Sequence, residues 1–152
     1  ISPLRRTVQT ACLAFQDNDA PLELCRAARE LWWEDSSNQP GSPDELRKLL
    51  KQLPRGAEVQ KVEEALTPSP ADPPNAQASV ERLRHLLTTR VEGTVAVTCH
   101  WGVIDQLCGV SADNCDVVEC ALTDSGEFEV LTTHKAPLWR RGLMLLPVPA
   151  LC

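Results

Sequence analysis

The sequence lacks the features that mark several common classes of protein. It contains no run of about 18 apolar residues, so no segment has the composition of a transmembrane helix. It has no excess of positive charge, because 15 Lys and Arg stand against 21 Asp and Glu and give a net charge of −6. This balance argues against binding to nucleic acid or to an anionic membrane, and it leaves room for a local basic pocket.

The sequence also contains no Cys-x-x-Cys pair, although it has seven cysteines, at positions 12, 25, 99, 108, 115, 120 and 152. Their spacing favours neither a thioredoxin-like motif nor a zinc site. A thiol or zinc protein built on Cys99, Cys108, Cys115 and Cys120 is kept as an alternative. Several cysteines occupy apolar positions, which indicates reduced thiols and a cytoplasmic location. Cys99 is the one whose reactivity should be tested, since it precedes the candidate site.

Helical and extended patterns alternate along the 152 residues. Apolar residues at helical spacing predict helices near residues 1–16, 42–53, 57–66, 79–90 and 104–108. Ser42 and Glu45 predict a capping box at the start of the second helix, and Gly109 predicts a left-handed cap after the last. Alternating apolar and β-branched residues predict strands at residues 22–25, 94–100, 116–123 and 127–133, the last two joined as a hairpin through residues 124–126. This order predicts an α/β fold, a three-layer sandwich with a mostly parallel sheet. The strands are few for such a sheet, so we expect its first strand to be missing from this sequence.

We expect residues 1–152 to form a single domain, since this length suits one hydrophobic core. Residues 67–78 are rich in proline, which cannot continue a helix, and predict an extended internal loop. Residues 134–152 combine three prolines with an apolar run, and their pattern defines no structure for this tail.

The most informative stretch is residues 94–104, where an alternating run ends in His-Trp-Gly and an apolar helical pattern follows. This pattern predicts a strand with His100 at its carboxyl end, the edge at which open α/β sheets bind ligands. A histidine there suits contact with phosphate or a change of charge near neutral pH. The stretch alone leaves a second interpretation equally open, in which His100 is a buried structural residue hydrogen-bonded to the backbone.

Two arginines stand at the start of the first predicted helix. Ser2 and Pro3 are typical of a helix start, with a capping hydroxyl followed by a proline. Arg5 and Arg6 then lie where the helix dipole disfavours positive charge. An anion bound beside them would offset that cost, and the alternative is an exposed pair in solvent.

Four segments form a sharper pattern together: residues 2–11 (SPLRRTVQTA), 28–30 (ARE), 98–104 (TCHWGVI) and 114–116 (NCD). Together they resemble the phosphoglycerate mutase-like branch of the histidine phosphatase superfamily. The family motifs are Ser-Pro-Leu-x-Arg-x-x-x-Thr-Ala, Leu-Arg-Glu, Ser/Thr-x-His-Gly-Gly at a strand end, and Asn-Cys/Ala-Glu at the next strand. The resemblance extends from residue 1 to about residue 133, with alanine in place of leucine in the acid motif.

The resemblance implies a role for each matching residue. Arg6 would bind the transferring phosphoryl group through its planar guanidinium, and Arg5, at a variable position, would be auxiliary. His100 would hold the phosphoryl oxygens and stabilise charge in the transition state. Glu30 would give a proton to the leaving oxygen.

Two further features concern residues beside these. Trp101 stands where the family motif has glycine, so its indole would either line the crevice for an organic substrate or pack its wall. Trp32 and Trp33 would extend the same wall or cover the core. Glu34 and Asp35 are fallback acids, and their alternative role is a solvated acidic loop.

The main departure concerns the nucleophile. The family uses a histidine in an Arg-His-Gly motif upstream of Ser-Pro-Leu, and this sequence contains no Arg-His-Gly. Covalent catalysis needs that nucleophile, and neither His85 nor His134 lies in a comparable motif. We therefore expect a phosphomonoester hydrolase or phosphomutase whose nucleophile lies upstream of Ile1, with residues 1–152 inactive alone.

The alternative is a catalytically inactive, phosphate-binding or regulatory module of the same fold. The implied phosphohistidine mechanism needs no metal and no organic cofactor. The expected partner is a small phosphorylated substrate, and the sequence does not define an oligomeric state.

Overall fold

The computed structural model describes residues 1–70 and 72–137. Within them, five helices follow in chain order: α1 (Arg5–Ala14), α2 (Pro43–Leu50), α3 (Val62–Leu66), α4 (Ala76–Thr88) and α5 (Trp101–Cys108). Two strands come after them, β1 (Val117–Leu122) and β2 (Phe128–His134). Short 3₁₀ turns lie at Arg26–Ala28, Ser36–Asn38 and Gly56–Glu58. Of the predicted tail, residues 138–152 lie outside the described residues.

The chain divides into two compact units, Ile1–Val103 and Ile104–Cys152. The expected three-layer sandwich with a mostly parallel sheet is wrong. Within the described residues the sheet has two strands, and these strands are antiparallel. The described fold is therefore a mixed one, dominated by helices and low in strand content.

The two segments predicted as internal strands explain this correction. Residues 22–25 make an isolated parallel bridge to Gln60, and residues 94–100 carry no regular secondary structure. In the latter, the carbonyl of Thr98 accepts a hydrogen bond from the amide of Ser2. A parallel sheet needs an evenly spaced ladder of such bonds along each strand. Alternating β-branched residues favour extended backbone, but they do not by themselves provide the neighbouring strand.

The buried core of the first unit joins three helices and the segments between them. Its members are apolar side chains: Val8, Cys12, Leu22, Leu24, Leu46, Leu49, Leu50, Val59, Ala65 and Leu66. Burying a Val or Leu side chain contributes about 1.5–3 kcal/mol. This core therefore anchors α1 firmly, and with it the residues that precede α1.

The start of α1 differs from its prediction in a way that matters for the site. The residue that precedes the helix is Leu4, and no side chain caps it. Thr7 Oγ1 donates instead to the carbonyls of Ser2 and Leu4, at 2.9 and 2.7 Å. Ser2 is therefore not the helix cap, and its buried hydroxyl is directed elsewhere.

Other helix ends follow local signals more closely. Ser42 and Glu45 form the predicted capping box at the start of α2. α4 begins three residues before its predicted start at Ser79, because Asn75 caps it by accepting a hydrogen bond from the amide of Ala78. α3 begins later than predicted, at Val62, since the preceding residues form a 3₁₀ turn and the bridge to residues 22–25.

In the second unit, β1 and β2 form the hairpin that the sequence predicts. Their register pairs Val117 with His134 and Leu122 with Phe128. Gly109 directly follows α5 and has a φ of 68°, which confirms the glycine cap expected there. In the described part of the chain, no helix is long and apolar enough to cross a membrane.

Candidate functional site

His100 immediately precedes α5 and is buried, with 6% of its surface exposed. Its Nε2 lies 2.7 Å from Oγ of Ser2, and its Nδ1 lies 3.2 Å from a terminal nitrogen of Arg6. A guanidinium can only donate, so Nδ1 accepts and the ring proton lies on Nε2, from which it is donated to Ser2. Both nitrogens therefore contact side chains, not the backbone that the structural interpretation required.

The surroundings of His100 keep its ring uncharged. Burial, which disfavours the imidazolium form, and the nearby guanidinium of Arg6 together lower the pKa of His100 to about 4, with burial as the larger cause. The neutral ring is also the form that the hydrogen bonds select. At neutral pH the positive charge of this pair is therefore that of Arg6.

Arg6 connects α1 with the loop that contains the second 3₁₀ turn. Besides its contact with His100, its guanidinium donates to the carbonyl of Ser37 at 2.9 Å and to Oδ1 of Asn38 at 2.7 Å. Asn38 is buried, and its amide nitrogen donates to the carbonyl of Trp32 at 3.0 Å. Among the described residues, these contacts use three of the five N–H groups of Arg6, which leaves two as further hydrogen-bond donors.

Glu30 lies against the first turn of α5. It is buried, and its Oε1 accepts a hydrogen bond from the amide of Leu31 at 2.9 Å. A Cβ placed on Gly102 would lie only 2.7 Å from the same oxygen. The glycine two residues after His100 therefore allows the carboxylate to approach the helix this closely.

Trp101 is the first residue of α5 and stacks on Trp32. Their ring centroids are 5.5 Å apart, and their planes differ by 10°. The two side chains remain 46% and 51% exposed, respectively. Trp33 has a different environment, since the guanidinium of Arg29 lies over its ring, 5.3 Å from the centroid. Of the two tryptophans after Glu30, Trp32 thus extends the wall formed by Trp101.

The structure places the remaining candidate residues elsewhere or in other roles. Arg5 lines a separate surface pocket with Glu45, Lys48, Leu49 and Gln52. Glu34 is exposed, and Asp35 caps a 3₁₀ turn through a hydrogen bond from the amide of Ser37, which lowers the pKa of Asp35. Burial raises the pKa of Cys99 to about 11, which argues against a reactive thiolate.

Sequence reasoning missed two polar residues of this site, Ser2 and Asn38. Ser2 lies inside the motif of residues 2–11, but the pattern Ser-Pro also fits a helix cap, and the cap was the local interpretation. Asn38 lies in a loop without any motif, so no signal in the sequence pointed to it. Both residues reach the site through tertiary contacts, with His100 and Arg6 respectively.

Among residues 1–70 and 72–137, no group of three or more His, Cys, Asp or Glu side chains is arranged to hold a metal ion. The residues at the start of α5 have a different chemistry. The guanidinium of Arg6 contacts the neutral imidazole of His100, and the carboxylate of Glu30 lies beside Gly102 in the first turn of α5. Comparison of the chain with protein-family models, with curated proteins and with solved structures found no match.

Proposed function

We propose that Arg6 and His100 bind the phosphoryl group of a small phosphomonoester. The observation that supports this most is the 3.2 Å contact between the guanidinium and the buried imidazole. The guanidinium of Arg6 would repel a protonated, positively charged His100. His100 therefore stays neutral when no anion is bound. A phosphate dianion would neutralise Arg6 and let Nδ1 of His100 take up a proton from solvent. The hydrogen bond from Arg6 to Nδ1 would then be replaced by hydrogen bonds from both groups to the phosphate oxygens.

The neighbouring residues suit this role. Ser2 fixes the orientation of the imidazole, and Asn38 fixes that of the guanidinium. Preorganised donors of this kind cost little reorganisation when a charged ligand enters. Glu30 is the proposed proton donor to the leaving oxygen, a role that comes from the resemblance of residues 28–30 to the acid motif.

The wider proposal is a phosphomonoester hydrolase or phosphomutase of the histidine phosphatase type. Its nucleophilic histidine would belong to an Arg-His-Gly motif, which this sequence does not contain. His85 lies on α4 and His134 ends β2, away from any such motif. We therefore expect this polypeptide to bind phosphate without hydrolysing its esters.

The second candidate is a phosphate-binding or regulatory module without turnover, favoured by the same lack of Arg-His-Gly. A coding sequence upstream of Ile1 that encodes Arg-His-Gly would support the enzyme. The protein extended by that segment should then hydrolyse a phosphomonoester in a vanadate-sensitive way. Loss of this activity in His100→Ala or Arg6→Ala is expected, and the extended protein would contradict the enzyme proposal if it hydrolysed no phosphoester.

Binding of inorganic phosphate by residues 1–152, measured by calorimetry, tests the site itself. Hydrogen bonds to charged groups contribute about 1.5–3 kcal/mol, so Arg6→Ala and His100→Ala should each weaken binding by about 10- to 100-fold. Arg5→Ala is the matched control, because Arg5 precedes Arg6 on α1 and lines a different pocket. Unchanged affinity in Arg6→Ala, or an equal loss in Arg5→Ala, would contradict the proposed site.

A further inference from the structure

Trp101 and Trp32 form an exposed aromatic surface beside the proposed phosphate site. One face of each indole ring stacks on the other ring, yet about half of the surface of each residue remains exposed. Leu31 adjoins this surface, since a Cβ on Gly102 would lie within 3.2 Å of Leu31 and 3.0 Å of Trp32. Large apolar groups gathered at a surface in this way mark a site of interaction.

The position of this surface is tied to the residues that would hold the phosphoryl group. Trp101 follows His100 directly, so their Cα atoms lie about 3.8 Å apart across the peptide bond. Trp32 is held from the other side, because its carbonyl accepts from Asn38, which in turn accepts from Arg6. The contacts therefore form a closed ring through these five residues, and the tryptophan pair has a defined place next to the anion.

We propose that the tryptophan pair binds the leaving group of the substrate, and that this leaving group is a planar aromatic ring. The inference rests on the proposed function, because Arg6 and His100 supply the anchor for the phosphoryl group. In an aryl phosphomonoester a single oxygen joins the ring to phosphorus, so the ring must bind immediately beside the phosphate. Trp101 occupies that place in the chain, one residue after His100.

The chemistry of the surface favours an aromatic ring over a polyol. Two parallel indoles offer flat apolar area, and aromatic pairs in offset or edge-to-face arrangements gain affinity beyond their buried area. This gain corresponds to about two- to tenfold in affinity. A sugar phosphate would instead depend on several hydrogen-bonding groups around its hydroxyls, and the indoles and Leu31 provide mainly apolar contact.

The test compares three non-hydrolysable probes with inorganic phosphate: phenylphosphonate, cyclohexylphosphonate and methylphosphonate. Calorimetry on residues 1–152 should show that phenylphosphonate binds about three- to tenfold more tightly than either of the other two phosphonates. Trp101→Leu and Trp32→Leu, examined in parallel, should each reduce the ratio of phenylphosphonate to methylphosphonate affinity toward one. Trp33→Phe is the matched control, since Trp33 is not part of the stacked pair, and it should keep the wild-type ratio.

The outcomes separate this inference from the proposal on which it rests. If the wild-type protein binds no inorganic phosphate, the proposed function itself fails. If phosphate binds but phenylphosphonate is no better than methylphosphonate, or the preference survives both leucine variants, the aromatic leaving-group site is overturned. Equal affinity for cyclohexylphosphonate and phenylphosphonate would also overturn it, because the surface would then be apolar without selecting an aromatic ring.

Discussion

The ionisation of His100 offers the most direct test of the site, because it responds to both burial and charge. In the free protein its pKa is about 4, lowered from 6.5 by burial and then by Arg6. At pH 6 the imidazole should therefore be only about 1% protonated. Sulfate is a suitable probe, since it stays a dianion across this pH range and does not itself bind protons.

The expected effect of sulfate can be estimated from Coulomb's law for an anion bound by Arg6 close to the imidazole. A unit charge about 4 Å from the imidazole changes its protonation free energy by about 4 kcal/mol at an effective dielectric constant of 20, which is about three pKa units. Sulfate bound by Arg6 would cancel the repulsion between the guanidinium and the imidazolium form of His100, and its second negative charge would attract the imidazolium. We expect saturating sulfate to raise the pKa of His100 by at least about two units. Affinity for sulfate should accordingly increase as the pH falls from 7 toward 5.

The assay is an NMR titration of the imidazole ring protons, with and without sulfate. The signal of His100 is identified by its loss in His100→Gln, since the chain has two other histidines. In Arg6→Ala the pKa in the free protein should rise only in part, because burial remains. A pKa of His100 near 6.5 without sulfate, or one that saturating sulfate leaves unchanged, would refute the reasoning.

The same shift predicts how the stability of the free protein depends on pH. Because the folded-state pKa is lower than the unfolded one, the unfolded chain binds more protons between pH 4 and pH 6.5. The contribution of His100 is thus fully present above pH 6.5 and is lost as the pH falls toward 4. This contribution is about 3 kcal/mol. Urea unfolding at several pH values should show that the free energy of unfolding depends less steeply on pH in His100→Gln than in the wild-type protein.

Two substitutions test the packing around the site, both by urea unfolding. Ser2→Ala should lower the free energy of unfolding by about 1–3 kcal/mol, because it leaves the buried Nε2–H of His100 without its acceptor; no change would contradict the hydrogen bond at 2.7 Å. Gly102→Ala should cost about 1–3 kcal/mol, because the new Cβ would lie 2.7 Å from Oε1 of Glu30. Gly93→Ala is its control, since a Cβ there meets nothing within 4 Å; equal effects at both glycines would contradict the close approach.

The parts of the fold that the sequence predicts are those decided by neighbouring residues. The capping box at Ser42 and the hairpin of β1 and β2 depend on short-range signals, and both are confirmed. The prediction of a parallel sheet was wrong because strand pairing depends on which distant segments of the chain meet. The alternating residues 94–100 indicate extended backbone, but they contain no information about a partner strand.

The candidate site follows the same division. Arg6, Glu30 and His100 could be predicted as site residues because each lies in a motif that resembles a family pattern of defined residue types and spacing. The role of Ser2 was missed, because the same hydroxyl fits two partners and only the folded chain distinguishes a helix amide from an imidazole. Asn38 is a residue whose role arises entirely from tertiary contact.

The closed ring of contacts from His100 through Arg6, Asn38 and Trp32 to Trp101 has a thermodynamic consequence. Because every member is held by two neighbours, ordering one part of the ring reduces the conformational entropy that the rest must lose. The phosphate and the leaving group should therefore bind cooperatively, not as independent fragments. In a double-mutant cycle on phenylphosphonate binding, substitutions at Arg6 and Trp101 should show an interaction energy of about 0.5 kcal/mol or more, although the proposal assigns the two side chains to different parts of the ligand.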